Sequence, residues 1–156
     1  MLDKITYRSA SEADIAEFIR LEGDEVSAHM AAFVSPRAAE ERTSHWQHVL
    51  ARPDTRNHTI EADGTILGWI ASFQRGSDRE VTYWIDRSFW GRGIASAALA
   101  HLLTVDLVRP LFARVASDNT RSVRVLEKSG FVAVDIERAY APTRGEEIDE
   151  LIFRLD

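Results

Sequence analysis

The sequence predicts a mixed α/β (α+β) domain in which about four helices pack on a largely antiparallel sheet of six to seven strands. Three observations carry this reading. Segments that alternate with period two and segments of helical periodicity follow one another in the order βα-α-βββ-αβ-αββ. The pair Asp63-Gly64 interrupts a β-rich stretch as a tight hairpin turn would. Residues 94–108 are almost wholly helix formers, opened by Gly91 and Gly93 and closed by Pro110.

Residues 4–8 alternate well enough for a first strand. Ser11 then offers an N-cap, and Ile15, Phe18, Ile19 and Glu22 fall on one helical face. A second helix is expected from Ser35, with Pro36 at its first position, Trp46, Val49 and Leu50 turned inward, and Pro53 as its stop. Residues 58–73 read as the hairpin, and residues 79–86, rich in Val, Tyr, Trp and Ile, as the next strand. In the third helix Ile94, Ala98, Leu102 and Val105 share a face. Residues 111–117 form a strand. Asn119 caps a short helix through Lys128, which Gly130 ends in a left-handed turn. Strands over 131–139 and 150–155 complete the chain.

The chain has 156 residues, without internal repeats or a Pro-, Gly- or Ser-rich linker, so residues 1–156 are read as one domain. With 45% hydrophobic and 28% charged residues it has the balance of a soluble globule. There is no cysteine, which excludes disulfides, zinc–thiolate sites, iron–sulfur clusters and thiol nucleophiles. Apolar runs are too short to span a membrane, and Asp3, Lys4 and Arg8 break any signal-peptide core, so a cytoplasmic protein is expected. A net charge of −6 argues against a nucleic-acid partner. Its distribution is uneven. Residues 86–128 are net +3, whereas residues 1–85 are net −5 and residues 129–156 net −4. A cationic middle suits a small anionic ligand held centrally.

The densest signal is Trp84-Ile85-Asp86-Arg87-Ser88-Phe89-Trp90-Gly91-Arg92-Gly93-Ile94-Ala95-Ser96. A strand ends, a loop follows, and two glycines stand where a helix begins. Glycine lets backbone approach a ligand closely, and the first amides of a helix lack internal partners, which together make a seat for phosphates. By itself a Gly-x-Gly is more often just a turn. A dinucleotide loop would need a third glycine or alanine, but Ser96 stands there, and residues 111–114 bring no ribose-binding acid. A P-loop would need Gly-Lys-Ser/Thr, which is absent.

The loop is followed by Asn119, Ser122 and then Lys128-Ser129-Gly130-Phe131. With these two segments in this order, the sequence resembles the GNAT superfamily of N-acetyltransferases. Within it, the chain is most similar to the ribosomal-protein N-terminal acetyltransferase branch, whose loop reads Trp-Gly-x-Gly-x-Ala. The resemblance implies a GNAT-like acyltransferase fold and acetyl-coenzyme A as co-substrate. It implies that Gly91, Arg92, Gly93, Ile94, Ala95 and Ser96 cradle the pyrophosphate. It also implies that Tyr83, Trp84 and Ile85 pair with the pantetheine arm through their backbone, on a strand splayed from its neighbour. Asn119 and Lys128 are implied coenzyme contacts, although Asn119 serves equally well as a helix cap. Where some members use a tyrosine to protonate the departing thiolate, this chain has Leu126, and Ser122 becomes the candidate proton donor. Relatives place a basic glutamate on the strand before the loop or on the one after the helix. Here the second place is Arg114 and the first offers Glu80, subject to strand alternation. His45 and His48 could pair on a metal but lack further ligands in sequence, so no metal is expected and either could line the acceptor cleft.

The expected function is direct transfer of acetyl to a primary amine, with no covalent intermediate, the acceptor being a protein N-terminus or a small amine. Acidic terminal segments, with Glu22, Asp24, Glu25, Glu146, Glu147, Asp149 and Glu150, suggest a cationic one. The alternative is a catalytically silent module that binds acetyl-coenzyme A as a sensor.

Overall fold

The computed structural model of the protein describes residues 4–35 and 37–156. Seven strands lie in the order β1-β2-β3-β4-β5-β7-β6. They are β1 (Ile5–Ser9), β2 (Arg56–Ala62), β3 (Thr65–Arg75), β4 (Asp78–Ile85), β5 (Leu111–Ala116), β6 (Val132–Ala141) and β7 (Glu146–Leu155). Every described neighbour pair is antiparallel except β4 with β5. Among the described residues there are five α-helices: α1 (Ile15–Glu22), α2 (Glu25–Ala31), α3 (Ala39–Ala51), α4 (Ile94–Val105) and α5 (Thr120–Lys128). None is long and apolar enough to cross a membrane.

Alternation along β3, reset by a bulge in the β2–β3 ladder that turns Leu67 to the face of Ile70, assigns the helices to the two faces of the sheet. Leu67 and Ile70 enter a large core with Leu99, Leu102, Leu126 and Phe153, which α4 and α5 cover. Trp69 and Ala71 enter a second core with Ile15, Phe18 and Trp46, beneath α1 and α3. Gly68, between them, is demanded by proximity: a Cβ there would lie 2.1 Å from the Trp84 carbonyl oxygen of β4.

Four features differ from the sequence reading, each for a physical reason. The helix α2 was not expected. It is nucleated by Asp24, whose carboxylate accepts from the Ser27 amide at 2.9 Å and the Ser27 hydroxyl at 2.8 Å. The helix expected from Ser35 begins at Ala39 instead, with Glu40 and Glu41 favouring its first turn, and Pro36 lies outside the described residues. α4 stops at Val105, short of Val108. The next residue, Asp106, is pulled into an extended conformation by Arg79 Nε at 2.9 Å, Ser72 Oγ at 2.5 Å and the Val108 amide at 3.1 Å. β7 starts at Glu146 rather than Glu150, because Arg138 and Arg114 answer the charges of Asp149 and Glu150 at 3.2 and 3.1 Å.

Candidate active site

β4 and β5 pair only at Arg79↔Leu111 and Glu80↔Phe112. Beyond that point the strands part, and the gap leaves the backbone of residues 81–85 and 113–116 facing one another across a cavity of about 890 Å³. The first turn of α4 and the N-terminus of α5 close one side of it.

The glycine loop has the geometry that anion binding needs. Gly91 and Gly93 sit at φ +79° and +77°, and no side chain caps α4. The first intrahelical bond is Ala97 N–H to Gly93 O, so the amides of Ile94, Ala95 and Ser96 have no helical partner, and all three residues line the cavity. Trp90 anchors the loop by donating its indole N–H to Ile85 O at 2.9 Å. The Arg121 guanidinium, one of the cations of the net-positive segment 86–128, lies 5.0 Å from the Trp90 ring centre and lines the cavity.

Most of the residues expected at the site converge. Tyr83, Trp84, Ile85, Gly91, Gly93, Ile94, Ala95, Ser96, Asn119 and Ser122 all line the cavity. The Ser122 hydroxyl lies 2.7 Å from the Tyr83 hydroxyl. Burial pushes the Tyr83 phenol above its usual range, with the Ser122 hydrogen bond opposing, so it remains a neutral hydroxyl. That role for the Tyr83 side chain was not legible from a motif in which it counted for its backbone. Asn119 caps α5, accepting from the Ser122 amide at 3.4 Å, and its amide donates to Met30 O of α2 at 3.4 Å.

Three expected residues do not converge. Arg92 stacks over Phe89 at 5.4 Å, and neither it nor Lys128 lines the cavity. Glu80 is also outside the lining. Its buried carboxylate takes Arg114 Nε at 3.1 Å and Arg75 at 3.5 Å, so its lone pairs are already engaged.

On the α1–α3 side the cavity wall is aromatic and apolar, with Trp46, Val49, Trp69 and Phe73. Glu22 faces in, accepting from Trp46 Nε1 at 2.6 Å and Arg42 at 3.2 Å. Burial raises its carboxyl above the usual range against those partners. His45 also faces in. Burial, followed by the charges of Arg37 and His48, lowers its imidazole and keeps it neutral. His48 is not in the lining, and among the described residues no three potential ligands gather as a metal site.

The acidic cleft expected from the charge pattern is not what lines this space. Glu22 and Glu150 face the cavity with five arginines, Arg37, Arg42, Arg52, Arg114 and Arg121. Asp24 points instead to Arg87 at 3.0 Å, while Glu25, Glu146, Glu147 and Asp149 are outside the lining.

Comparison with known proteins gives the same architecture. Residues 4–132 match the family model described as acetyltransferase (GNAT) domain. The chain is 31% identical over 102 residues to the uncharacterized N-acetyltransferase p20 of Bacillus licheniformis, a match that covers 62% of this chain and 56% of that protein. It resembles RimL, a ribosomal L7/L12 alpha-N-protein acetyltransferase, in its apo crystal form. There the TM-score is 0.83 at 20% identity, covering 98% of this chain and 90% of that one. It also resembles yncA of Salmonella typhimurium, solved with its cofactor acetyl-CoA. The TM-score is 0.80 at 18% identity, covering 97% and 93% of the two chains. At these identities the likeness to the two solved structures is one of fold.

Proposed function

The chain belongs to the GNAT acetyltransferase family, and on that premise we propose that it transfers acetyl from acetyl-coenzyme A directly to a primary amine. The observation that carries this is convergence. A strand with unpaired backbone, a helix N-terminus opened by two left-handed glycines and a hydroxyl pair all face one cavity.

The pantetheine arm lies in the gap along Tyr83, Trp84 and Ile85 and takes the backbone groups there that β5 leaves free, the Ile85 carbonyl excepted, which Trp90 already holds. The pyrophosphate rests on the amides of residues 93–96, with Arg121 supplying the nearest cation and Asn119 facing the arm. The amine attacks the thioester carbonyl, the C–N bond forms, and the C–S bond breaks to leave a thiolate. Ser122 Oγ–H protonates that sulfur, and Tyr83 donates to Ser122 Oγ so that the serine proton stays free to point at it.

The acceptor amine must lose a proton before it attacks. Glu80 lies outside the cavity, held by Arg75 and Arg114, so the role passes to the neutral imidazole of His45. The acceptor is a protein N-terminus or a small amine.

The test is release of free coenzyme A thiol with a panel of amines and peptides, with acetylated product identified by mass. Thiol release without an acetylated amine would leave hydrolysis, and no turnover together with tight coenzyme binding would leave the sensor.

A further inference from the structure

Three polar atoms at the α3 end of the cavity find no hydrogen-bond partner among the described residues. They are Thr55 Oγ1, Asn57 Oδ1 and Trp69 Nε1. All three residues line the same cavity, and Trp69 is only 9% exposed. Buried polar groups are nearly always paired, and an unpaired one is costly. The strand register explains their proximity. Asn57 pairs with Ala71 and Thr59 with Trp69, so Asn57 and Trp69 are diagonal neighbours on one face, with Thr55 just before β2. The walls around them are Val49, Ala71 and Phe73.

We propose that these atoms form an acceptor-recognition subsite for an uncharged amide group carried at the far end of the amine substrate. This rests on the acetyl-transfer reading of the same cavity and specifies its substrate class. The chemistry follows from the donor inventory. An indole N–H can only donate, so the ligand must accept there. The Asn57 oxygen can only accept, so the ligand must donate there. The Thr55 hydroxyl can do either. A carboxylate only accepts and would leave Asn57 Oδ1 unpaired, and an ammonium only donates and would leave Trp69 unpaired. A carboxamide or peptide group presents a carbonyl and an N–H side by side. The sheet sets the length of the substrate. From β4, where the thioester lies, to β2 is two strand spacings, about 10 Å. The acceptor is therefore an amine, an apolar or aromatic spacer fitting Trp46 and Phe73, and an amide.

The test uses three phenethylamines that differ only in the para group, carboxamide, methyl or carboxylate, assayed by thiol release with the intact protein. The carboxamide should have kcat/KM at least tenfold above both others, a ratio that falls below about twofold in Trp69→Phe and Asn57→Ala. Thermal melts confirm that the variants fold, and Trp69→Phe keeps the aromatic wall. A second readout does not need turnover. With tryptophan labelled with nitrogen-15, the indole resonance that disappears in Trp69→Phe should shift on adding the carboxamide amine but not the methyl one. Equal kcat/KM for all three compounds with a still resonance overturns the subsite and leaves these atoms satisfied by water only. A carboxylate preference overturns it in favour of the cavity arginines. A shifted resonance with no acetylation of any compound upholds the subsite and fails the acetyl-transfer reading instead.

Discussion

At the scale of single residues, the site depends on side chains whose partners are distant in sequence. Ser122 and Tyr83 are 39 positions apart and 2.7 Å apart in space. If Ser122 protonates the thiolate, Ser122→Ala should lower kcat about a hundredfold with coenzyme affinity unchanged, because the sulfur needs a proton only as the thioester breaks. Tyr83→Phe should lower kcat about tenfold, and the double variant should lose less than the product of the two, since both act on one proton. Pre-steady-state kinetics would check all three, and equal acetyl-transfer rates in variant and parent would remove the pair from the chemistry. Asp14 makes a different kind of claim. Hydrogen bonds from Arg8, and then from the Ser11 amide and Thr59, hold its buried carboxyl at about 2 against the cost of burial. An unfolded aspartate titrates near 3.9. The stabilisation, about 2 kcal/mol, is therefore full above pH 5 and lost as pH falls from about 4 through 2. Urea unfolding should show Asp14→Asn less stable than the parent at pH 6, with the gap closing towards pH 2. Ser122 was legible because the motif names it. Tyr83's hydroxyl and the unpaired Asn57 and Trp69 were not, because their meaning lies in which atoms meet across the sheet.

Elements were legible where periodicity and caps agree, and misplaced where a tertiary contact decides. The glycine turn, α4 and α5 stand where glycine placement, helix formers and the Asn119 cap predict them. α2 was missed because seven residues carry too little periodicity and only the Asp24 to Ser27 bond marks its start. The end of α4 was overrun because the ion pair of Asp106 with Arg79 joins elements 27 residues apart. Two glycines separate binding from folding at this scale. A Cβ at Gly93 would meet nothing within 4 Å, but its φ of +77° costs an L-residue about 1–2 kcal/mol. Gly93→Val should thus still melt cooperatively while its calorimetric heat of acetyl-coenzyme A binding disappears, and retained binding would end the loop's phosphate assignment. Gly68→Ala should do the reverse. A Cβ 2.1 Å from Trp84 O forces β3 off β4, lowering stability by about 1–3 kcal/mol in chemical denaturation.

Over the whole molecule, net charge proved a poor guide to the cavity. The chain is net −6, yet the acids of its terminal segments lie outside the cavity or face arginines, and arginines outnumber carboxylates in the lining. A diamine should therefore show no advantage over a monoamine of matched length, and kcat/KM for either should change little between low and high salt. A steep fall with salt for the diamine alone would restore the acidic-cleft reading. The parting of β4 from β5 has a mechanical consequence as well. Four strands lie on one side of the seam and three on the other, and the backbone ladder crosses it at only two residue pairs. The sheet is thus split along its backbone ladder, while the core under α4 and α5 runs beneath both parts. A co-substrate whose arm runs along the seam acts as a removable eighth strand that bridges the two parts. Under the proposed acetyl transfer each turnover would end by withdrawing that arm, which makes release of the product a step of its own beside the chemistry.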